Sequence, residues 1–324
     1  MTRLLHRREL PLAAALVVLF AAVAAVQPRF LSADSLRSIL LWVPLLAVVA
    51  LGQMAVMLAR GIDVSVGSTL GLAGMLVAMT LRDHPGLNVG VAALLGAALG
   101  AALGAVNGGL VAVARIPAIV TTLGTLGIFR GLTFLVSGGR QVDDYQLPRA
   151  LARWSMDGPF GQSVVAWVVL IAVAAALLLH GVLAHTRFGR DLYAIGGDPD
   201  AAALRGVPVR PVVFGSYALC GAGAGLAGVL YASRFGTVNP ASIGSGFELL
   251  VIAAAVIGGT SVFGGAGTVP GVLLGCLLLG TINVALTVLG IADTWQTAVY
   301  GFVILLAVLS DDAAVRRLRR GGGT

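Results

Sequence analysis

The chain is 324 residues long, 58% hydrophobic and only 11% charged, with a formal net charge of +7. A soluble domain carries about 25% charged residues, so this composition excludes a water-soluble globule and leaves no room for a separate soluble domain. All 21 basic residues are arginine; without lysine there is neither the P-loop cation of a standard ATP site nor a Schiff-base nucleophile, and the positive charge reads as membrane orientation rather than nucleic-acid binding.

Apolar runs of about 20 residues cross a bilayer as helices, and charges punctuate such runs along the whole chain. The first, 10–28, follows Arg3, Arg7 and Arg8; it is long for a signal-peptide core and is read as a retained helix. The second lies between Arg37 and Arg60, the third between Asp63 and Arg82, the fourth at 86–114 and the fifth at 116–136, which contains Arg130. Residues 137–162 are too charged for lipid and form a loop, before a sixth run at 164–179. The basic segment 180–210 and a seventh run at 211–231 follow. Residues 249–292 carry no charge and are long enough for the eighth and ninth spans, broken by the glycine-rich 258–271; the tenth is 294–310.

The expected fold is therefore all-α, a polytopic bundle of about ten spans forming one domain, 1–324, with both termini cytoplasmic. That orientation puts thirteen arginines inside (Arg3, Arg7, Arg8, Arg60, Arg115, Arg187, Arg190, Arg205, Arg210, Arg316, Arg317, Arg319, Arg320), seven outside, and Arg130 within a span. The positive-inside rule favours it, and it makes 183–210 a cytoplasmic loop and 137–162 a periplasmic one.

Glycines mark packing faces. Gly96, Gly100, Gly104 and Gly108 fall four apart, as do Gly221 and Gly225, and Gly271 and Gly275; small-xxx-small stripes let helix backbones approach in lipid. Gly61, Gly67 and Gly74 recur, shifted by 197 residues, at Gly258, Gly264 and Gly271, a faint echo of the repeats common in transporters. The GxGxxG match at Gly223, Gly225 and Gly228 lies inside a span without the strand a dinucleotide site needs. Cys220 and Cys276 are isolated in apolar runs and read as core residues. The four histidines form no metal-binding pair.

Polar groups at membrane depth are costly and mark a bundle interior or a functional path. The candidates are Asp63, Asn107, Thr121, Thr122, Arg130, Glu248, Asn283 and Trp295. Arg130 and Glu248 are the costliest, each read either as a path residue or as a side chain near a helix end reaching water. In the segment 186–211, Asp198 followed by Pro199 has the form of a helix start, Ala201, Ala202, Ala203 and Leu204 extend it, and Gly206 ends it. Such a short helix is either solvated decoration or an element that docks into a partner's groove.

Read together, these segments resemble the permease subunits of ATP-binding-cassette sugar importers of the ribose/xylose/rhamnose class. Thr186, Gly189, Arg190, Ala194, Gly196, Ala201, Ala202 and Gly206 match that family's cytoplasmic loop in register, with Asp198 for the usual Asn and Val207 for the usual Ile. Residues 61–68, GIDVSVGS, match a second motif, in which Arg60 stands where the family has a first glycine. Residues 116–125 with Phe129-Arg130-Gly131 and Ser137-Gly138-Gly139, and residues 255–261 with Gly264, Gly265 and Gly267, match two more.

The resemblance implies a bacterial inner-membrane transport subunit rather than an enzyme. A second permease subunit, the same or a related chain, would share the path. Cytoplasmic ATPase subunits would hold the ATP, this chain binding no cofactor, and a periplasmic sugar-binding protein would deliver the cargo. It implies ATPase coupling through Arg187, Gly189, Arg190, Asp198, Ala201, Ala202, Arg205 and Gly206, so that a bulky residue at Ala202 is expected to uncouple hydrolysis from transport. Residues 129–139 and the stretch from Pro270 onward most resemble the rhamnose and furanosyl-autoinducer branches. The main alternative is an ion-driven secondary transporter using Glu248 or Asp63; an intramembrane enzyme lacks a nucleophile–base or metal set.

Overall fold

The computed structural model describes residues 2–159, 165–291, 295, 298–299 and 301–302, with side chains from Glu9 onward. Helices dominate, and among the described residues the nearest approach to a strand is one antiparallel bridge, Val142 to Val238. Among the described residues seven helices are long and apolar enough to cross a membrane: α1 (Thr2–Val26), α2 (Ala33–Leu58), α4 (Val89–Ala112), α5 (Ala118–Ser137), α7 (Trp167–His185), α10 (Val209–Phe235) and α12 (Val269–Val288). Between them stand α3 (Val66–Asp83), α6 (Arg149–Met156), α8 (Arg187–Gly197), α9 (Pro199–Leu204) and α11 (Phe247–Ile257). The charged pair Arg82 and Asp83 at the end of α3 lowers its apolarity below that of the seven.

Local chemistry sets the ends. The Ser32 hydroxyl caps α2 by accepting from Ser35 N–H at 3.3 Å, Asn88 caps α4 through Gly90 N–H at 2.8 Å, and Thr268 caps α12 through Gly271 N–H at 3.1 Å, each taking up a donor with no partner inside the helix. α5 and α10 stop at Gly138 and Gly236, both with left-handed backbone, the conformation that closes a helix most cheaply at glycine.

The expected eighth span is corrected. α11 has 11 residues, about 16 Å at 1.5 Å per residue, roughly half of a 30 Å hydrocarbon core. The segment leading to it, 236–246, folds back into the bundle: Ile243 is fully buried, and its neighbours at Gly71 and Gly74 of α3 leave no space for a side chain. The glycine-rich break at 258–271 is where the sequence places it, just past Ile257, and the part before it is a half-helix rather than a span. The expected tenth span, 294–310, falls largely, and the arginines Arg316, Arg317, Arg319 and Arg320 wholly, outside the described residues.

α10 is the centre of the bundle, packed on α2, α3 and α4. The three glycines of the GxGxxG match point to three neighbours. A Cβ at Gly223 would meet the Val48 carbonyl of α2, one at Gly225 the Gly96 and Gly100 backbone of α4, and one at Gly228 the Leu70 carbonyl and Gly74 of α3. The stripe on α4 answers them: Gly100 abuts Gly221 and Gly225, Gly104 abuts Tyr217, and Gly108 abuts Phe214. The two helices thus touch backbone to backbone, the small-residue packing that lipid requires. α2 is buried continuously from Pro44 to Leu58, while α1 lies outside it, packed mainly on α12.

Two glycines nine residues apart on α4 make a matched test. Gly100→Val drives a branched side chain into the α10 backbone and is expected to lower stability by about 3 kcal/mol or more. Gly109→Ala enters open space and is expected to be neutral or slightly stabilising. Thermal unfolding in one detergent checks both.

Candidate functional site

The polar residues at membrane depth resolve into two clusters. The first surrounds the loop between α2 and α3. Asp63 is buried, and its carboxylate accepts from Ser65 N–H at 2.8 Å, Ser65 Oγ at 2.7 Å and Asn107 Nδ2 at 3.3 and 3.4 Å. Asn107 Nδ2, on α4, also donates to Ser65 Oγ at 2.7 Å. With its amide oriented to match, Gln53 of α2 brackets the Asp63 backbone, donating to the carbonyl at 3.2 Å and accepting from the N–H at 3.1 Å. Thr122 Oγ1 of α5 donates to the Ile62 carbonyl at 3.3 Å. Non-helical backbone at this depth must find partners inside the protein, and these side chains supply them. Asp63, Asn107 and Thr122 are therefore brought together as a knot tying the loop to α2, α4 and α5. Thr121 is buried beside Thr122 on the inner face of α5.

The second cluster joins the two costliest residues. Arg130 lies in the middle of α5, and its Nη1 donates to the Ile243 carbonyl at 2.6 Å, so it binds the re-entering segment instead of reaching for water at a helix end. Glu248 stands in the first turn of α11, four residues past Gly244, whose left-handed backbone packs on Gly67. Glu248 Oε2 is buried against Gly67 with no hydrogen-bond partner among the described residues. Trp295 is 67% exposed and joins neither cluster.

The third feature is the α8–α9 element. Thr186 caps α8 by accepting from Gly189 N–H at 3.2 Å, and Gly189 lies on the α7 backbone at Leu183. Asp198 caps α9 by accepting from Asp200 and Ala201 N–H, both at 3.0 Å, with Pro199 in the first turn and Gly206 left-handed just beyond, as the sequence predicts. The Asp198 carboxyl is held below the ordinary carboxylate range by the Ala201 N–H first, then by the Asp200 N–H and the Arg60 charge.

This element is seated on two other loops. Arg60 donates through Nε to Gly196 O at 3.0 Å and through Nη2 to Gly197 O at 2.7 Å. Gly265 N–H donates to Leu58 O at 3.1 Å, and Tyr193 Oη donates to Gly267 O at 2.8 Å. Gly196 fits against Leu58 and Gly265 with no room for a side chain. Arg60 has φ 64°, a backbone suited to the glycine usual there, and its two hydrogen bonds account for an arginine being held in it.

Ala202 is buried under α9, so a bulky residue there would lift the helix off the bundle rather than alter its outer surface. Arg187, Arg190 and Arg205 are exposed. The outward apolar groups are Leu204, 90% exposed, and Phe263 on the loop before α12, 83% exposed. Neither stood out in the sequence, where an apolar residue in an apolar chain carries no signal.

A helical membrane bundle with a re-entering half-helix, a polar interior and a seated helical element at one end is the architecture of a multi-pass membrane permease. The chain belongs to the family described as branched-chain amino acid transport system / permease component, whose model matches residues 35–308. It is 38% identical over 311 residues to the autoinducer 2 import system permease protein LsrC of Photorhabdus luminescens, covering 96% of this chain and 91% of that one. It is 39% identical over 319 residues to the Salmonella typhi protein of the same name, covering 97% and 90%, and 37% identical to that of Escherichia coli O9:H4 strain HS over the same length, covering 97% and 91%. No solved structure matches the chain. It is a permease subunit of an ATP-binding-cassette importer, a transport component rather than an enzyme.

Asp63→Ala leaves the Ser65 N–H, the Ser65 hydroxyl and the Asn107 amide without their acceptor; at about 1–3 kcal/mol for each buried unpaired group, a loss of about 3 kcal/mol or more is expected in thermal unfolding, against a few tenths for exposed Asp34→Ala. The depressed Asp198 carboxyl keeps its cap at and above the ordinary carboxylate range and loses it as pH falls through the lowered value. Amide exchange at Asp200 and Ala201 is expected to stay protected down to about pH 4 and that protection to be lost at every pH in Asp198→Ala.

Proposed function

We propose that this chain forms the inner-membrane path of an ATP-powered importer for a small hydroxylated cargo of the monosaccharide or furanosyl-autoinducer type. ATP is hydrolysed on a separate cytoplasmic chain, and a periplasmic binding protein presents the cargo. The cargo class is supported by the import permeases to which the chain is 37–39% identical over nearly its whole length. The coupling role is supported by one observation: α9 is capped, buried on its Ala202 side, and carries Leu204 outward at 90% exposure.

In this reading the α9 end is cytoplasmic, as the positive-inside excess favours. Leu204 and Phe263 are the apolar anchors of the ATPase interface, with Arg187, Arg190 and Arg205 around them. A push on α9 reaches α2 through Arg60 and the 258–268 loop through Gly196 and Tyr193. A second permease subunit lies along the outer face of α5, where Gly124, Gly127 and Gly131 meet open space between exposed Ile119, Leu123, Ile128 and Leu135; small residues on a lipid-facing helix permit close approach of another. The candidate cargo path is the Arg130–Glu248 junction, whose carboxylate oxygen has no hydrogen-bond partner among the described residues. Asp63, saturated by Ser65 and Asn107, serves as structure rather than as an ion site.

The test is co-purification of the tagged full-length chain with its ATPase from detergent, with hydrolysis and cargo uptake assayed together. Leu204→Asp and Phe263→Asp are each expected to reduce ATPase recovery about tenfold or more, the scale of losing one buried apolar anchor. Tyr145→Asp, equally exposed at the opposite end of the bundle, is expected to leave it unchanged. Uptake driven by a proton gradient without any ATPase would overturn the reading.

A further inference from the structure

A cavity of about 450 Å³ opens between the end of α2, the α4–α5 turn, α9 and the start of α10. Its walls carry three arginines, Arg60, Arg115 and Arg210, against one acid, Asp200. Four segments far apart in sequence thus contribute charge to one recess, with a net excess of two positive charges.

Two further observations single this recess out. Arg60 and Arg115, at φ 64° and 59°, are the only non-glycine residues with left-handed backbone among the described residues, and both line it. Strained backbone of this kind persists where the surroundings fix it and gathers at functional sites. Secondly, neither Arg115 nor Arg210 has a hydrogen-bond or ion-pair partner among the described residues, while Arg60 is held in place by the Gly196 and Gly197 carbonyls.

We infer that this recess is a phosphate-recognition site, formed by Arg60, Arg115 and Arg210, that takes the phosphate group of a small phosphoester or of an anionic lipid. Arginine presents a planar fork of donors that matches phosphate oxygens two at a time, and basic pockets between membrane helices hold lipid head groups by the same chemistry. The cavity is within the size range of small-molecule sites, with room for an organic group beyond the phosphate. Pro199, Asp200 and Ala203 of α9 form one wall, so an occupant would bridge α9 to α4, α5 and α10 and hold that helix down. The site rests on the arginine geometry alone and stands whether or not α9 meets an ATPase.

The experiment places the full-length chain in nanodiscs of neutral phosphatidylcholine and follows amide exchange at 115–118 and 199–210 while inorganic phosphate replaces chloride at constant ionic strength. Exchange is expected to slow saturably, about tenfold at ten times the dissociation constant. Arg115→Gly removes the charge while suiting the left-handed backbone, so the fold is kept; in it, and in Arg210→Gln, exchange without phosphate is expected to match the parent and the phosphate effect to vanish. Nanodiscs containing phosphatidylglycerol separate the two sources. Protection there without added phosphate, lost in the same variants, identifies a lipid head group. Protection by inorganic phosphate in neutral lipid identifies a free phosphoester. No protection from either source, or protection that survives both substitutions, overturns the inference.

Discussion

The bundle depends on one contact, the meeting of the α4 and α10 backbones without side chains between them. Lipid tails are as apolar as leucine, so the hydrophobic effect does not drive helices together within the membrane, and close packing must do so. Glycine at 96, 100, 104 and 108 on one helix, and at 221 and 225 on the other, makes that approach possible. The remaining glycines of α10 extend the same solution to α2 and α3. Part of the polar interior is hung on this frame: Asn107 belongs to α4, Tyr217 to α10 and Gln53 to α2.

The frame permits something lipid otherwise forbids. Residues 59–65 leave helical geometry between two buried helices, freeing backbone groups that a hydrocarbon surrounding could not satisfy. Gln53 takes up the Asp63 backbone and Thr122 the Ile62 carbonyl, while the Asp63 carboxylate accepts from Ser65 and Asn107. The cost of burying a charge is met by hydrogen bonds rather than by a counter-ion. That arrangement frees Arg60, at the start of the same loop, to reach across to α8.

How much of this was legible in the sequence follows from where charge and glycine fall. Runs bounded by arginine or aspartate gave α2, α4, α5, α7 and α10 nearly in place, because burying an unpaired charge is prohibitive and so marks each boundary. The Asp198–Pro199 start and Gly206 stop gave α9 for the same local reason. The segment of α11 was bounded by the glycine-rich 258–271 but counted as a full span, because hydropathy alone does not separate a half-helix from a crossing one. α8 was not distinguished from α9 because both lie in one basic segment. Arg130 and Glu248 were each weighed alone; that both meet the 236–246 segment is a fact of tertiary packing. The inward turn of Ala202 and the outward turn of Leu204 depend on how α9 is rolled on the bundle, which three alanines and a leucine in a row do not encode.

The three-sided glycine contact of α10 also limits how the molecule can move. A helix whose backbone touches three others at different faces cannot roll about its axis or slide by a residue without driving a carbonyl into a neighbouring Cα. α2, α3, α4 and α10 therefore travel as one solid body, and the freedom in the fold belongs to the outer helices α1, α5 and α7, which meet it through side chains. Relative movement in this fold therefore costs least at the margins of that block, where helices meet it through side chains.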